Sequence, residues 1–81
     1  MALEDAALAA YHLGRVREAA QTYESLLRLA PARGGLWKTL GALYLEELGE
    51  RGEAERCFRR ALQLEKDPAE RAKLEDLLRE P

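Results

Sequence analysis

The chain has 81 residues, of which 47% are apolar and 35% charged, with a net charge of −2. That length allows one small domain, the acidic balance gives no general attraction to nucleic acid, and no apolar run approaches the roughly 20 residues that span a bilayer. The single Cys excludes an internal disulfide, and the N-terminus lacks the basic region and apolar core of a signal peptide, so a cytoplasmic location is expected.

Leu and Ala supply nearly all the apolar bulk. There is one Val and no Ile, which argues against a sheet. Asn is also absent and Arg outnumbers Lys ten to three, a bias expected of a GC-rich gene, with heat adaptation as the alternative cause. The first helix is expected from about Ala2 to Leu13, stopping at Gly14, a natural residue just past a helix end. The second runs from about Val16 to Leu29, because Pro31 disfavours a helical Ala30 and cannot continue the ladder. Gly34 and Gly35 read as a hinge between hairpins. The third helix is expected from about Leu36 to Leu48, ending at Gly49, and the fourth from near Gly52 to Glu65. Asp67-Pro68 then marks a start, with Asp as N-cap and Pro in the first helical position. The fifth helix covers Pro68 to about Arg79, with an apolar stripe of Leu74, Leu77 and Leu78. Arg71–Glu75 and Glu75–Arg79 stand at the spacing of ion pairs along its charged side.

The chain is similar to itself. Leu3 matches Trp37, Ala6 matches Leu40, Ala7 matches Gly41 and Ala10 matches Tyr44, each pair 34 apart. Leu13 and Leu48, Gly14 and Gly49, Ala19 and Ala54, and Tyr23 and Phe58 match at 35. The change of offset puts one extra residue between Tyr44 and Leu48. A lengthened helix end or turn is the favoured outcome there, ahead of a single π-type turn. A period of this size indicates stacked helical hairpins.

The typed positions Trp37-x2-Leu40-Gly41-x2-Tyr44 and Ala54-x3-Phe58 resemble the tetratricopeptide repeat pattern. The resemblance implies an all-α fold. It would be a tetratricopeptide-type right-handed superhelix of two antiparallel helical hairpins plus a C-terminal solvating helix. Repeat one would span about 1–33, repeat two about 34–67 and the closing helix about 68–79. Gly41 and Ala7 would be small because helices of a hairpin approach closely there, with Trp37, Tyr44, Tyr23 and Phe58 filling the space around small residues. The resemblance also implies a non-catalytic module that binds a peptide or helix of another protein.

In proteins of this family the first helix of each hairpin lines a concave face. Glu4, Asp5, Leu8, Tyr11 and His12 would point there from the first hairpin, and Lys38, Thr39, Ala42, Leu45 and Glu46 from the second. The groove candidates are Glu4, Leu8, Tyr11, His12, Lys38, Thr39, Ala42 and Leu45, with an apolar strip of Leu8, Tyr11, Ala42 and Leu45 at their centre. Glu4 and Leu8 stand where receptors for chaperone C-termini carry Lys and Asn, so that subtype does not fit.

Nothing in the chain assembles a catalytic centre. His12 and Cys57 are the only residues of their kinds and lie on different hairpins. Cys57 reads as a small packing residue, and His12 as a cation suited to a helix C-terminus. No cluster offers metal-ligand spacing, and no cofactor is expected. Arg56, Arg59 and Arg60 form a basic run, but Glu53 and Glu55 stand beside it, with Glu55–Arg59 at pairing distance along a helix, so a solvated face is expected rather than a nucleic-acid contact. The alternative to partner binding is self-assembly. Three repeats are usually needed for stability, which suggests part of a longer array or a unit stacking through its first helix. Met1, Ala2, Leu8 and Ala9 lie outside the hairpin pattern there.

Overall fold

The computed structural model describes residues 3–79. Its helices are α1 (Leu3–His12), α2 (Val16–Leu29), α3 (Gly34–Ala42), α4 (Arg51–Leu64) and α5 (Pro68–Arg79). α1 packs on α2 and α3 on α4 as two hairpins, α2 lies against α3, and α5 closes on α4. No strand occurs among the described residues. The expected Ala2 start of the first helix lies outside the described residues. The bounds of α2 and α5 coincide with those expected, and α4 is displaced by one residue at each end.

The third helix departs from expectation in two ways. It begins at Gly34, so the two glycines form its first turn and are not a hinge. The carbonyl of Arg33 already accepts from the N–H groups of Leu36 and Trp37, which draws both glycines into helical geometry. Gly34 also lies close to α4: a Cβ there would sit 3.5 Å from that of Leu64. At its other end α3 passes into a π-helical segment, Leu43–Glu47. The extra residue is thus absorbed as a π turn, the outcome the sequence reading ranked second.

Both hairpin turns close on a left-handed glycine, Gly14 (φ 80°) and Gly49 (φ 65°), a conformation costly for other residues. After α1 the N–H of Arg15 donates to Ala10 and that of Gly14 to Tyr11, the two bonds of a Schellman motif. Asp67 caps α5 as expected, its side chain accepting the N–H of Ala69. Arg71 does not pair along its own helix with Glu75. It reaches back to donate to the carbonyls of Leu62 (2.7 Å) and Glu65 (3.0 Å), satisfying the end of α4. Arg79 pairs with Asp76 in place of Glu75.

The core follows the repeat. Ala7, Ala19, Ala54 and Ala61 are buried, and Tyr23, Trp37, Tyr44 and Phe58 are buried around them. The helices approach closely at Gly41: a Cβ there would meet the Phe58 ring at 2.7–3.0 Å. Leu74 buries its side chain against the last hairpin and brings α5 into the same core.

Candidate functional site

Among the described residues the backbones of α1 and α3 do not approach each other closely, nor do those of α3 and α5. The second helices hold them side by side, and clefts open between them. The first has a volume of about 270 Å³. Leu8 and Tyr11 line it from α1, Thr39 and Ala42 from α3, and the buried Tyr23 of α2 forms its floor. Leu8 is 42% exposed and Tyr11 38%, so each has apolar surface open to a ligand. Leu43, Glu46 and Glu47 of the π segment line it as well. Burial raises the pKa of the Tyr23 hydroxyl, and the charge of Glu4 adds to the shift.

The second cleft, about 210 Å³, lies between α3 and α5 with Phe58 in its lining. It repeats the first. Ala42, Leu45, Lys73 and Leu77 line it, each 34 residues after Leu8, Tyr11, Thr39 and Leu43 of the first cleft, and Phe58 stands 35 after Tyr23. α5 therefore continues the series begun by α1 and α3, with Leu74 buried at the place of Leu40. Ala42 and Glu46 line both clefts.

The profile of the tetratricopeptide repeat matches residues 2–36 and 36–72, two tandem copies that cover most of the chain. The chain belongs to the tetratricopeptide repeat family. No curated protein sequence matches it.

The tetratricopeptide framework sorts the residues expected in the groove. Leu8, Tyr11, Thr39 and Ala42 come together in the first cleft, and Lys38, Ala42 and Leu45 in the second. Glu4 and His12 line neither. Glu4 pairs with Arg33 at 3.0 Å, tying α1 to the connection between hairpins. The His12 ring stands edge-on to Tyr11, centroids 5.7 Å apart. Lys38 holds α5 in place. Its ammonium lies 2.5 Å from Glu65 and 3.4 Å from Glu70, which also pairs with Lys73 at 2.9 Å. The hydrogen bond to Glu65 raises the Lys38 pKa, and the same bond holds the Glu65 carboxyl below its usual range. Lys73 first, then Lys38, does the same to Glu70. Sequence reasoning missed Tyr23, Leu43 and Glu47 in the first cleft and all of the α5 side of the second. Carrying the period of 34 beyond the second hairpin would have found the latter, since it sets Leu74 at the place of Leu40.

The opposite side of the tetratricopeptide unit locks the hairpins. Glu24 of α2 accepts from the Tyr44 hydroxyl and from Arg56, both at 2.7 Å. Burial, then Glu24, pushes the Tyr44 hydroxyl well above the ordinary tyrosine range. Arg56 also pairs with Glu53 at 3.2 Å and lies over the Trp37 ring at 5.9 Å. Arg59 pairs with Glu55 at 3.8 Å. Cys57 is buried, which raises its thiol pKa to about 11.

Proposed function

We propose that the chain is a non-catalytic protein-interaction module that takes an apolar segment of a partner protein on the side formed by α1, α3 and α5. Tetratricopeptide repeats are in general protein–protein interaction modules, and this chain carries two. The observation that supports this binding mode is the half-exposed pair Leu8 and Tyr11 over the Tyr23 floor. Apolar surface open in a preformed cleft gains free energy on burial by a ligand, and recurring modes of peptide recognition use such grooves. Leu8, Tyr11, Thr39, Ala42 and Leu45 carry the contact, while Glu4 and Lys38 stabilise the helices that frame it. Selection from a displayed library of random peptides of about ten residues tests the reading. Enrichment on the native protein should disappear on Leu8→Ser, which changes an exposed side chain; equal enrichment on both would refute the assignment of the cleft.

A second reading is self-assembly through α1. Ala6 and Ala9 are exposed, whereas the equivalent Leu40 and Leu43 are buried against the preceding hairpin. Met1 and Ala2 lie outside the described residues, and Leu8 lines the first cleft. Ala9→Glu therefore separates the two readings. Sedimentation should show an assembly that this change dissociates without loss of peptide binding. A native chain that stays monomeric as concentration rises sinks this alternative.

A further inference from the structure

The two clefts flank α3 as equivalent sites, and their charges differ. In the second cleft Lys38 and Lys73 both pair with Glu70, and Lys38 pairs also with Glu65 outside the lining. Glu46 and Glu47 are exposed and have no ion pair among the described residues. They stand where the third helix ends, next to carbonyls whose dipole is also negative. The ridge between the clefts is therefore apolar at Ala42 and acidic at Glu46. A helix with its side chains is about 10 Å across, so the clefts are separated by roughly that distance. A polyproline-II chain advances about 9 Å in three residues and returns its side chain to the same face. A flat strand fits less well, because its side chains recur on one face at about 7 or 13 Å. The ridge itself is low at Ala42, which lets a slender backbone pass between Lys38 and Glu46.

We infer that the partner segment is extended and crosses α3, with two apolar side chains three residues apart, one in each cleft, and a Lys or Arg between them over Glu46 and Glu47. This rests on the groove-binding reading and adds to it the spacing and charge of the ligand. The same random-peptide selection, read by sequence, tests it. Enriched peptides should carry apolar residues three apart with a basic residue inside the interval. A synthetic peptide of that pattern should bind Glu46→Lys about five- to tenfold more weakly than the native chain, since the change removes one attraction and adds a repulsion. Glu47→Lys should act in the same direction, and unchanged melting curves would show that both variants fold. Two outcomes would overturn the inference. If enriched peptides show apolar residues seven apart, the ligand is a helix. If they show no basic preference, the acidic ridge has no part in recognition. In either case loss of enrichment on Leu8→Ser would leave the groove-binding reading standing. Enrichment no greater than on Leu8→Ser removes both.

Discussion

The backbone N–H of Glu50 donates to the carbonyl of Tyr44 at 2.7 Å. Its counterpart in the first hairpin runs from Arg15 to Ala10 at 2.8 Å. Tyr44 stands 34 residues after Ala10, but Glu50 stands 35 after Arg15. The same two places in the repeat are bonded, with one more residue enclosed. A second pair behaves alike: Leu48 donates to Leu43 as Leu13 donates to Ala9, both at 3.1 Å. The π turn thus preserves these two bonds and confines the extra residue within them. It also places Glu46 and Glu47 beside the cleft.

Deleting Glu47 should therefore restore a regular helix end without moving the core. The variant is expected to unfold cooperatively with a Tm within about 5 °C of the native value, a difference of roughly 1 kcal/mol at this size. Deleting Thr39, about two turns earlier in regular helix, rotates the Trp37 side of the helix against Leu40 and Gly41 and should abolish the cooperative transition. Thermal melts followed by circular dichroism compare the two. Loss of cooperative unfolding on deleting Glu47 would show that the π turn is required by the fold.

Gly41 and Gly35 lie on the same helix in opposite environments. A Cβ at Gly41 would enter the Phe58 ring, whereas one at Gly35 meets nothing within 4 Å. Ala gains about 1 kcal/mol over Gly in a helix, and overpacking a core costs about 1–3 kcal/mol. Gly41→Ala should accordingly destabilise by up to about 2 kcal/mol, and Gly35→Ala should stabilise by about 0.5–1 kcal/mol. Urea unfolding of both variants gives the sign directly. Stabilisation by Gly41→Ala would mean that the Phe58 ring has room to move.

The hairpins were legible in the sequence because their rules are local or periodic. Gly14, Gly49 and Asp67-Pro68 mark ends by backbone geometry, and the matched pairs set the stacking. Gly34 and Gly35 were misread because their low helix propensity is outweighed by tertiary placement, with Gly34 against Leu64. Four of the eight groove candidates meet in the first cleft, but Tyr23 was assigned to the core alone and Leu43 was given no role. A cleft floor is both core and surface, and periodicity cannot separate the two. The ion pairs of Glu4 and Lys38 join residues about thirty positions apart, and no local pattern signals them.

Lys38 makes the stability of the α5 contact dependent on pH. Its partners Glu65 and Glu70 have folded-state pKa values below the ordinary 4.5. A carboxylate depressed on folding stabilises the native state above its unfolded pKa, and that contribution is lost as pH falls through the folded value. Stability should thus decline from about pH 4.5 downward. Lys38→Met should lower Tm at pH 7 and change it less at pH 3, so that the acid-induced drop becomes smaller. These groups are only partly buried, so added salt should reduce the difference. An acid-induced drop as large in Lys38→Met as in the native chain would show that these pairs do not contribute.

Trp37 and Arg71 occupy one place in the period, 34 residues apart, and do the same thing with different chemistry. The Trp37 indole donates to the carbonyl of Pro31 at 2.9 Å, and Arg71 donates to that of Glu65 at 3.0 Å. Each partner lies six residues earlier, so each side chain fastens the connection leading into its own helix. Trp37 adds a buried ring that joins the hairpins, whereas Arg71 adds charge at the end of α4. Trp37→Phe should cost about 1 kcal/mol for the lost donor, beyond small packing changes. Trp37→Ala should cost about 3–5 kcal/mol, enough to remove the cooperative transition of so small a domain. Arg71→Leu should cost about 1.5–3 kcal/mol, through the unsatisfied carbonyls of Leu62 and Glu65. Hydrogen exchange should locate that loss in α5 and the last turn of α4, leaving α1 and α2 as protected as before. If Arg71→Leu raises exchange evenly through every helix, α5 unfolds only with the whole domain, and Arg71 supports the entire stack as Trp37 does.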